Sequence, residues 1–312
     1  MRVGALLCLL SAALPAAAAE APPPRLLRLT CFVQEPSGGP VDGLPSSGFT
    51  VTVDGRPAKI ADFVHNPDTP VAVGVLFDHG APDIREGIYG IDQLLQGIYS
   101  MLRFEDDLFM DSYGFVPVRF VSPGASRKDV RDVVSRFRPH LLSSERAVRE
   151  NFGSLAIPPD TVRYPAGGDM VPAVVAHAVR TLREMPQPRK ALIWVMSNKA
   201  GRPGREVMEA LDPSIPVLAV VFTGSDPAAD RLAALQAALR EIGSPLAMVQ
   251  DRIDAATAGR MALANLLWCY EMAIETPPAK KAPRAPRVRI ALREPGLEIY
   301  YPARPGGRRD KH

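Results

Sequence analysis

Cysteine is scarce in this sequence, and so are the patterns that accompany metal or redox chemistry. Of three cysteines, Cys8 sits in an apolar leader, which leaves Cys31 and Cys269 to the body of the chain. One pair permits a disulfide in an oxidising compartment without requiring it, because distance and not count decides pairing. The five histidines, His65, His79, His140, His177 and His312, are scattered, and none makes with a cysteine the short spacings of a structural zinc site. Charge of one sign is missing as well: 37 basic residues face 34 acidic ones, and no global basic field points to nucleic acid. The local runs Lys280, Lys281, Arg284, Arg287 and Arg304, Arg308, Arg309, Lys311 read as solvated linker and chain end. Past the leader, no stretch reaches the roughly 18–20 uninterrupted apolar residues of a membrane helix, so no integral membrane segment is expected in the mature chain.

What is present begins with that leader. Met1-Arg2, an apolar run from Val3 to Leu14, then Pro15 and the small residues Ala16–Ala19 give the order of a secretory signal peptide cleaved after Ala19. Export to the periplasm or the cell exterior is the expectation.

After Pro22–Pro24, Arg28–Gln34 reads as a strand, and Phe49–Val53 alternates apolar and polar. Asp54-Gly55 is a tight hairpin turn, and Ala58–Phe63 is expected to return as the partner strand. The pattern then changes to strand and helix in alternation. Ala72–Phe77, Ala191–Met196 and Pro216–Phe222 are continuous apolar runs suited to strands buried on both faces. Between and after them lie helical stripes, at Ile84–Leu102, from the Ser126 cap to Phe137, and at 169–183, 204–211, 227–242 and 254–267. Leu108–Phe115, Val116–Val121 and Leu246–Val249 add shorter strands. The alternation predicts an α/β fold with a doubly wound, mostly parallel sheet. Strands return at Trp268–Glu275, Val288–Leu292 and Leu297–Tyr301, so both chain ends are expected to build one small β domain. The expected division is leader 1–19, β domain 20–69 and 268–303, α/β domain 70–267 and basic tail 304–312. Residues 139–166 have no core assignment, although Ser143–Phe152 fits a helix, and loops of that length are usually functional.

In an open parallel sheet, ligands bind beyond the carboxyl ends of the strands. The polar residues expected there are Asp78, His79 and Gly80 after the first buried strand, Gly168 and Asp169 at a helix start, and Ser197 and Asn198 after the central strand.

These residues and their order resemble the von Willebrand factor A-related proteins of acidobacteria. The features are Gly39-Pro40-Val41-Asp42-Gly43-Leu44, Phe49-x-Val51, Asp54-Gly55-Arg56-Pro57, the run Pro70–Asp78, the strand Lys190–Val195, Val288–Ile290 and Gly296–Ile299. The resemblance implies a Rossmann-like A domain whose top face holds a metal-ion-dependent adhesion site: Asp-x-Ser-x-Ser, a Thr on a second loop and an Asp on a third. Here Asp78 is kept, but Gly80 and Pro82 replace the serines, Asp169 falls at the Thr position and Ser197 at the last Asp. Magnesium wants about six oxygens in a tight octahedron, and Gly and Pro offer no side-chain oxygen. The site is therefore degenerate, and no cofactor is required. A rearranged site of Asp78, Asp169, Ser197 and water, holding magnesium or another divalent cation, stands beside the simpler reading in which these carboxylates cap helices.

The implied function is a non-enzymatic module for adhesion or assembly that binds a protein or peptide partner. Its contact surface would be Asp78, His79, Gly80, Gly168, Asp169, Ser197 and Asn198, with the 139–166 loop. A scaffold with a vestigial site is the alternative. A hydrolase is disfavoured because Ser197 lacks a Gly-x-Ser-x-Gly elbow, and the glycines at 201–204 lack the Lys-Ser/Thr end of a P-loop.

Overall fold

The computed structural model describes residues 25–78, 90–114, 117–137, 146, 150, 160–161, 170–197, 203–223, 229–276 and 285–304. Its strands are β1 (Arg25–Gln34), β2 (Phe49–Val53), β3 (Arg56–Pro57), β4 (Ile60–Val64), β5 (Val71–Asp78), β6 (Asp107–Tyr113), β7 (Val118–Val121), β8 (Asp160–Thr161), β9 (Arg189–Ser197), β10 (Val217–Phe222), β11 (Leu246–Val249), β12 (Tyr270–Thr276), β13 (Val288–Leu292) and β14 (Glu298–Tyr300). Its helices are α1 (Ile91–Met101), α2 (Arg127–Arg136), α3 (Met170–Glu184), α4 (Arg205–Ala210), α5 (Ala229–Glu241) and α6 (Arg252–Leu267).

Seven strands form the central sheet in the order β11-β10-β9-β5-β6-β7-β8. The first five are mutually parallel, and β7 and β8 close one edge antiparallel. Val71 through Phe77 are all buried, as the unbroken apolar run requires of a strand covered on both faces. Along β5, odd residues (Val71, Val73, Val75, Phe77) pack with α1, α2 and α6, and even residues (Ala72, Leu76) pack with α3, α4 and α5. The pleat sorts the side chains this way because its period is two. Gly74 lies on the second face, where a Cβ would come within 2.4 Å of the Phe109 ring, so only glycine lets that ring lie over the strand.

Helix starts follow local chemistry. Ser126 caps α2, its Oγ accepting from the Asp129 amide at 3.2 Å. Helix α6 begins at Arg252, earlier than the apolar stripe predicts, because the Asp251 carboxylate accepts from the Ile253 and Asp254 amides at 2.8 and 2.9 Å.

The chain ends meet in two antiparallel sheets, β14-β1-β12-β4 and β13-β2-β3. Leu29, Cys31, Val33, Tyr270, Met272 and Ile274 from the first pack on Phe49, Val51, Val53, Val288 and Ile290 from the second. The result is a small sandwich carried by both ends of the chain. Asp54 and Gly55 form the expected two-residue turn with φ of 51° and 78°. One expectation is corrected: the return along β2 is confined to Arg56–Pro57 and the Ala58 amide, and Ile60–Val64 leaves to pair with β12 in the other sheet. The Ala58 amide still donates to Val51 O at 3.0 Å before the chain crosses over, so one short segment serves both layers of the sandwich. The Val41–Leu44 segment is pinned by Tyr270, whose hydroxyl donates to Val41 O at 2.7 Å and accepts from Leu44 N at 3.1 Å. His65 stacks on that ring at 4.4 Å and bonds Asp42 at 2.5 Å.

Cys31 and Cys269 are both free and buried. Cys31 stands opposite Tyr270 in the β1–β12 ladder, so Cys269, one residue away, belongs to the other face of the sheet. Among the described residues, no helix is long and apolar enough to cross a membrane.

Candidate functional site

The chain leaves β5 toward β6 on one side and leaves β9 toward β10 on the other, although β5 and β9 are neighbours. Strand order therefore reverses between them, and the connecting segments diverge to open a crevice at the carboxyl edge. Asp78 is the last residue of β5 and lies opposite Tyr113. Ser197 is the last residue of β9 and lies opposite Phe222. Phe77 pairs with Val195, which sets Asp78 level with Met196 and Ser197 one residue beyond it. Two of the residues singled out by sequence thus flank the same switch point.

They do not face the same way. The pleat gives Asp78 the face of Leu76, and gives Ser197 the face of Ile193 and Val195. Asp78 is half-buried and Ser197 only 2% exposed. A ligand touching both must sit over the edge of the sheet, not within either layer. His79, Gly80, Gly168, Asp169 and Asn198 lie outside the described residues, as does most of 139–166. Within that loop, Arg146 and Glu150 are helical and form an ion pair at 2.6 Å, and Asp160–Thr161 adds β8 to the sheet edge.

Other polar groups reach the rim from strand ends that the sequence reading passed over. The Tyr113 hydroxyl accepts from Trp194 Nε1 at 3.0 Å, and the Thr223 hydroxyl donates to Val249 O at 3.2 Å. Ser112, opposite Phe77, carries a buried Oγ with no hydrogen-bond partner among the described residues. Their shared signal is position: each is a polar residue at or next to the last residue of a buried apolar strand.

Beneath Tyr113, on the face of Asp78, Asp111 is 1% exposed and takes two bonds from Arg119, each at 2.7 Å. A third Arg119 bond goes to Thr181 Oγ1 at 3.1 Å, and the guanidinium lies 5.1 Å from the centre of the Phe109 ring. A buried carboxylate needs such pairing, since desolvation otherwise costs several kcal/mol. His177 stands close by on α3; burial first, then the Arg119 charge, hold its pKa below the usual value and favour the neutral ring.

Among the described residues, no three His, Cys, Asp or Glu side chains gather around one point to hold a metal ion. Asp78 offers one carboxylate and Ser197 one buried hydroxyl on the opposite face of the pleat. Asp169, the third member of the expected cation set, lies outside the described residues.

No protein-family model and no curated protein matches the chain. Similar solved structures include the conserved hypothetical protein BatB from Bacteroides thetaiotaomicron, with TM-score 0.41 and 13% identity over 63% of this chain and 98% of that one. Another is a von Willebrand factor type A protein from Catenulispora acidiphila, with TM-score 0.40 and 9% identity over 88% and 72% of the two chains. A third is the manganese-loaded TRAP protein of Plasmodium vivax, with TM-score 0.39 and 12% identity over 77% and 96%. Likeness at this level adds nothing to the site, whose description rests on strand order and register.

Proposed function

We propose that this chain is an exported, non-enzymatic von Willebrand factor A-like module that binds a protein or peptide partner at the carboxyl edge of its central sheet. The reading rests on one observation: Asp78 ends β5 at the point where strand order reverses. Half-buried at that rim, its carboxylate is placed to accept donors from an incoming chain. Tyr113 and Ser197 border it, and His79, Gly80, Gly168, Asp169 and Asn198 complete the contact surface by their places in the sequence. Such a surface recognises its partner without a metal. A divalent cation among Asp78, Asp169 and Ser197 is the competing form.

Two measurements test this reading. In binding assays against fractionated extracellular and periplasmic protein, a Tm-matched Asp78→Ala variant is expected to lose the partner that the native chain retains. Equal retention by both proteins removes the rim from the reading. Thermal melts with magnesium, manganese or chelator are expected to coincide, because only a ligand of the native state raises Tm. A cation-dependent rise that Asp78→Ala abolishes would replace the metal-free form with the metal-bound one.

A further inference from the structure

Away from the rim, a groove of about 680 Å³ runs over the outer face of the three-stranded sheet β13-β2-β3. That volume lies within the range of about 300–1,000 Å³ usual for ligand sites. The pleat builds it: Val51, Val53, Val288 and Ile290 turn into the sandwich, so Thr50, Thr52, Arg289 and Ala291 face out. Arg289 stands opposite Thr52 in the ladder, and Ala291 opposite Thr50. Gly55, Arg287, Tyr301 and Ala303 extend the walls.

The charge of the groove is one-sided. Val288 N donates to Ala303 O at 2.9 Å, and Arg287 precedes the one residue while Arg304 follows the other. The last arginine of the linker run and the first of the terminal run therefore come to the same end of the groove, beside Arg289. All three are exposed, and none of their guanidinium groups has a partner among the described residues. Elsewhere on the surface, arginines such as Arg28, Arg136 and Arg205 are matched by carboxylates. Here no Asp or Glu lines the walls among the described residues. The Asp54 carboxylate at the adjoining turn is already taken by the Arg287 amide at 2.9 Å. Like charges gathered without counter-charges favour an anion that arrives from outside.

Three features narrow the occupant. Large exposed apolar side chains occur at Leu26, Val64, Phe104, Met248 and Ile253, and none lies in the groove, which leaves a bilayer nothing to bury. Both edges of β13 are taken, by β2 on one side and by Ala303 O and the Tyr301 hydroxyl on the other, so a peptide cannot add there as a strand. What is offered instead is forked guanidinium groups that match planar carboxylates, the uncommitted hydroxyls of Thr50 and Thr52, and the flank of the Tyr301 ring. Arg287 and Arg289, two residues apart on one face, stand about 7 Å apart along the chain, a spacing that suits carboxylates repeated along a polymer. We propose that this groove binds a carboxylated polysaccharide, its carboxylates on Arg287, Arg289 and Arg304 and its hydroxyls on Thr50 and Thr52. The surface belongs to the sandwich and is independent of the partner assigned to the carboxyl edge of the central sheet.

Titration calorimetry of the intact chain with a galacturonate oligomer tests the proposal. Saturable binding that weakens as salt is raised is expected, with the uncharged methyl ester of the same oligomer failing to bind. Arg287→Gln with Arg289→Gln, both at exposed positions, is expected to weaken binding by about tenfold or more without moving Tm. Arg131→Gln, exposed on α2 and away from the groove, is expected to leave it unchanged. A polyglutamate peptide and phosphatidylglycerol vesicles stand in for the other anionic occupants, and equal or tighter binding of either overturns the sugar assignment. No saturable binding of the oligomer up to about 10 mM overturns the proposal, and so does binding that the double glutamine variant leaves unchanged or that Arg131→Gln weakens as much.

Discussion

Helices α1 and α6 cross with their backbones in contact, and two glycines make that possible. A Cβ built at Gly97 would lie 2.3 Å from Ala256 O, and one at Gly259 would lie 2.2 Å from Leu94 O, whereas ordinary contact begins at 3.4 Å. Both obstacles are main-chain oxygens, so no rotamer change relieves them, and the helices must part by about 1 Å. Parting them loosens Leu94, Ile98, Ala262 and Leu263 in the core on that side of the sheet. Glycine to alanine inside a helix ordinarily gains about 1 kcal/mol from propensity. Overpacking costs about 1–3 kcal/mol and sometimes more, and the rigid obstacle puts this pair at the upper end. Gly97→Ala and Gly259→Ala are each expected to lose about 2 kcal/mol net, or about 4–8 °C in Tm for a unit of this size. The double variant should lose less than the sum, because one separation accommodates both methyl groups. Urea unfolding should show a lower midpoint with unchanged slope. Gly48→Ala, with nothing within 4 Å of its added Cβ, is the control and should move stability by less than about 0.5 kcal/mol. Gly97→Ala as stable as the native chain would refute the close-crossing argument.

Three other outcomes follow from the interior. Arg189, 4% exposed, bonds Glu271 at 2.8 Å and the Leu266 and Leu267 carbonyls at 3.4 and 3.1 Å, joining the end of α6 to the sandwich; Glu271 keeps a 40% exposed side chain, so Arg189→Ala chiefly strips two carbonyls of their donor and should cost about 1–3 kcal/mol by chemical denaturation. Burial alone would raise the Asp106 and Asp212 carboxyls, but hydrogen bonds from Arg103 and Val71, and from Ser214 and Arg183, outweigh it and hold both below the ordinary value. The stability they contribute is fully present above the unfolded carboxyl range near pH 4 and is lost as pH falls through the lowered folded values, so Asp106→Asn and Asp212→Asn should flatten the acid limb of a stability–pH curve. Burial pushes Cys31 well up and Cys269 to about 12, so both thiols should resist a thiol reagent at pH 8 until the chain unfolds, and prompt labelling would contradict their placement.

Much of the fold was legible because local chemistry and tertiary demand agree. The run Val71–Phe77 is apolar throughout because helices cover both its faces, and the Asp54-Gly55 turn is written in two residues that tolerate positive φ. Periodicity also located β2 and β13 to the residue, since one buried face repeats every second position. The departures occurred where the next partner is distant in sequence. Ile60–Val64 has a pattern equally suited to β2 or β12, and only assembly of both chain ends chose β12. The two-residue β8 has too little sequence to carry a period, and its place depends on β7 beside it.

The site divides along the same line. A carboxylate at the end of an apolar strand can be read from Asp78 alone, because strand polarity sets which end carries the loops. Its place one residue short of Ser197, and the opposite faces the two residues take, depend on the register between β5 and β9, which are joined only through the long crossover that contains β6, β7 and α3. The groove lined by Arg287 and Arg289 was invisible in sequence for a stronger reason: its walls come from residues 50 to 303, brought together only when both chain ends build the sandwich. Sequence determined the periods, caps and turns, which act over a few residues; the tertiary structure alone decided which strands pair and which polar groups meet, because those contacts close loops of tens to hundreds of residues.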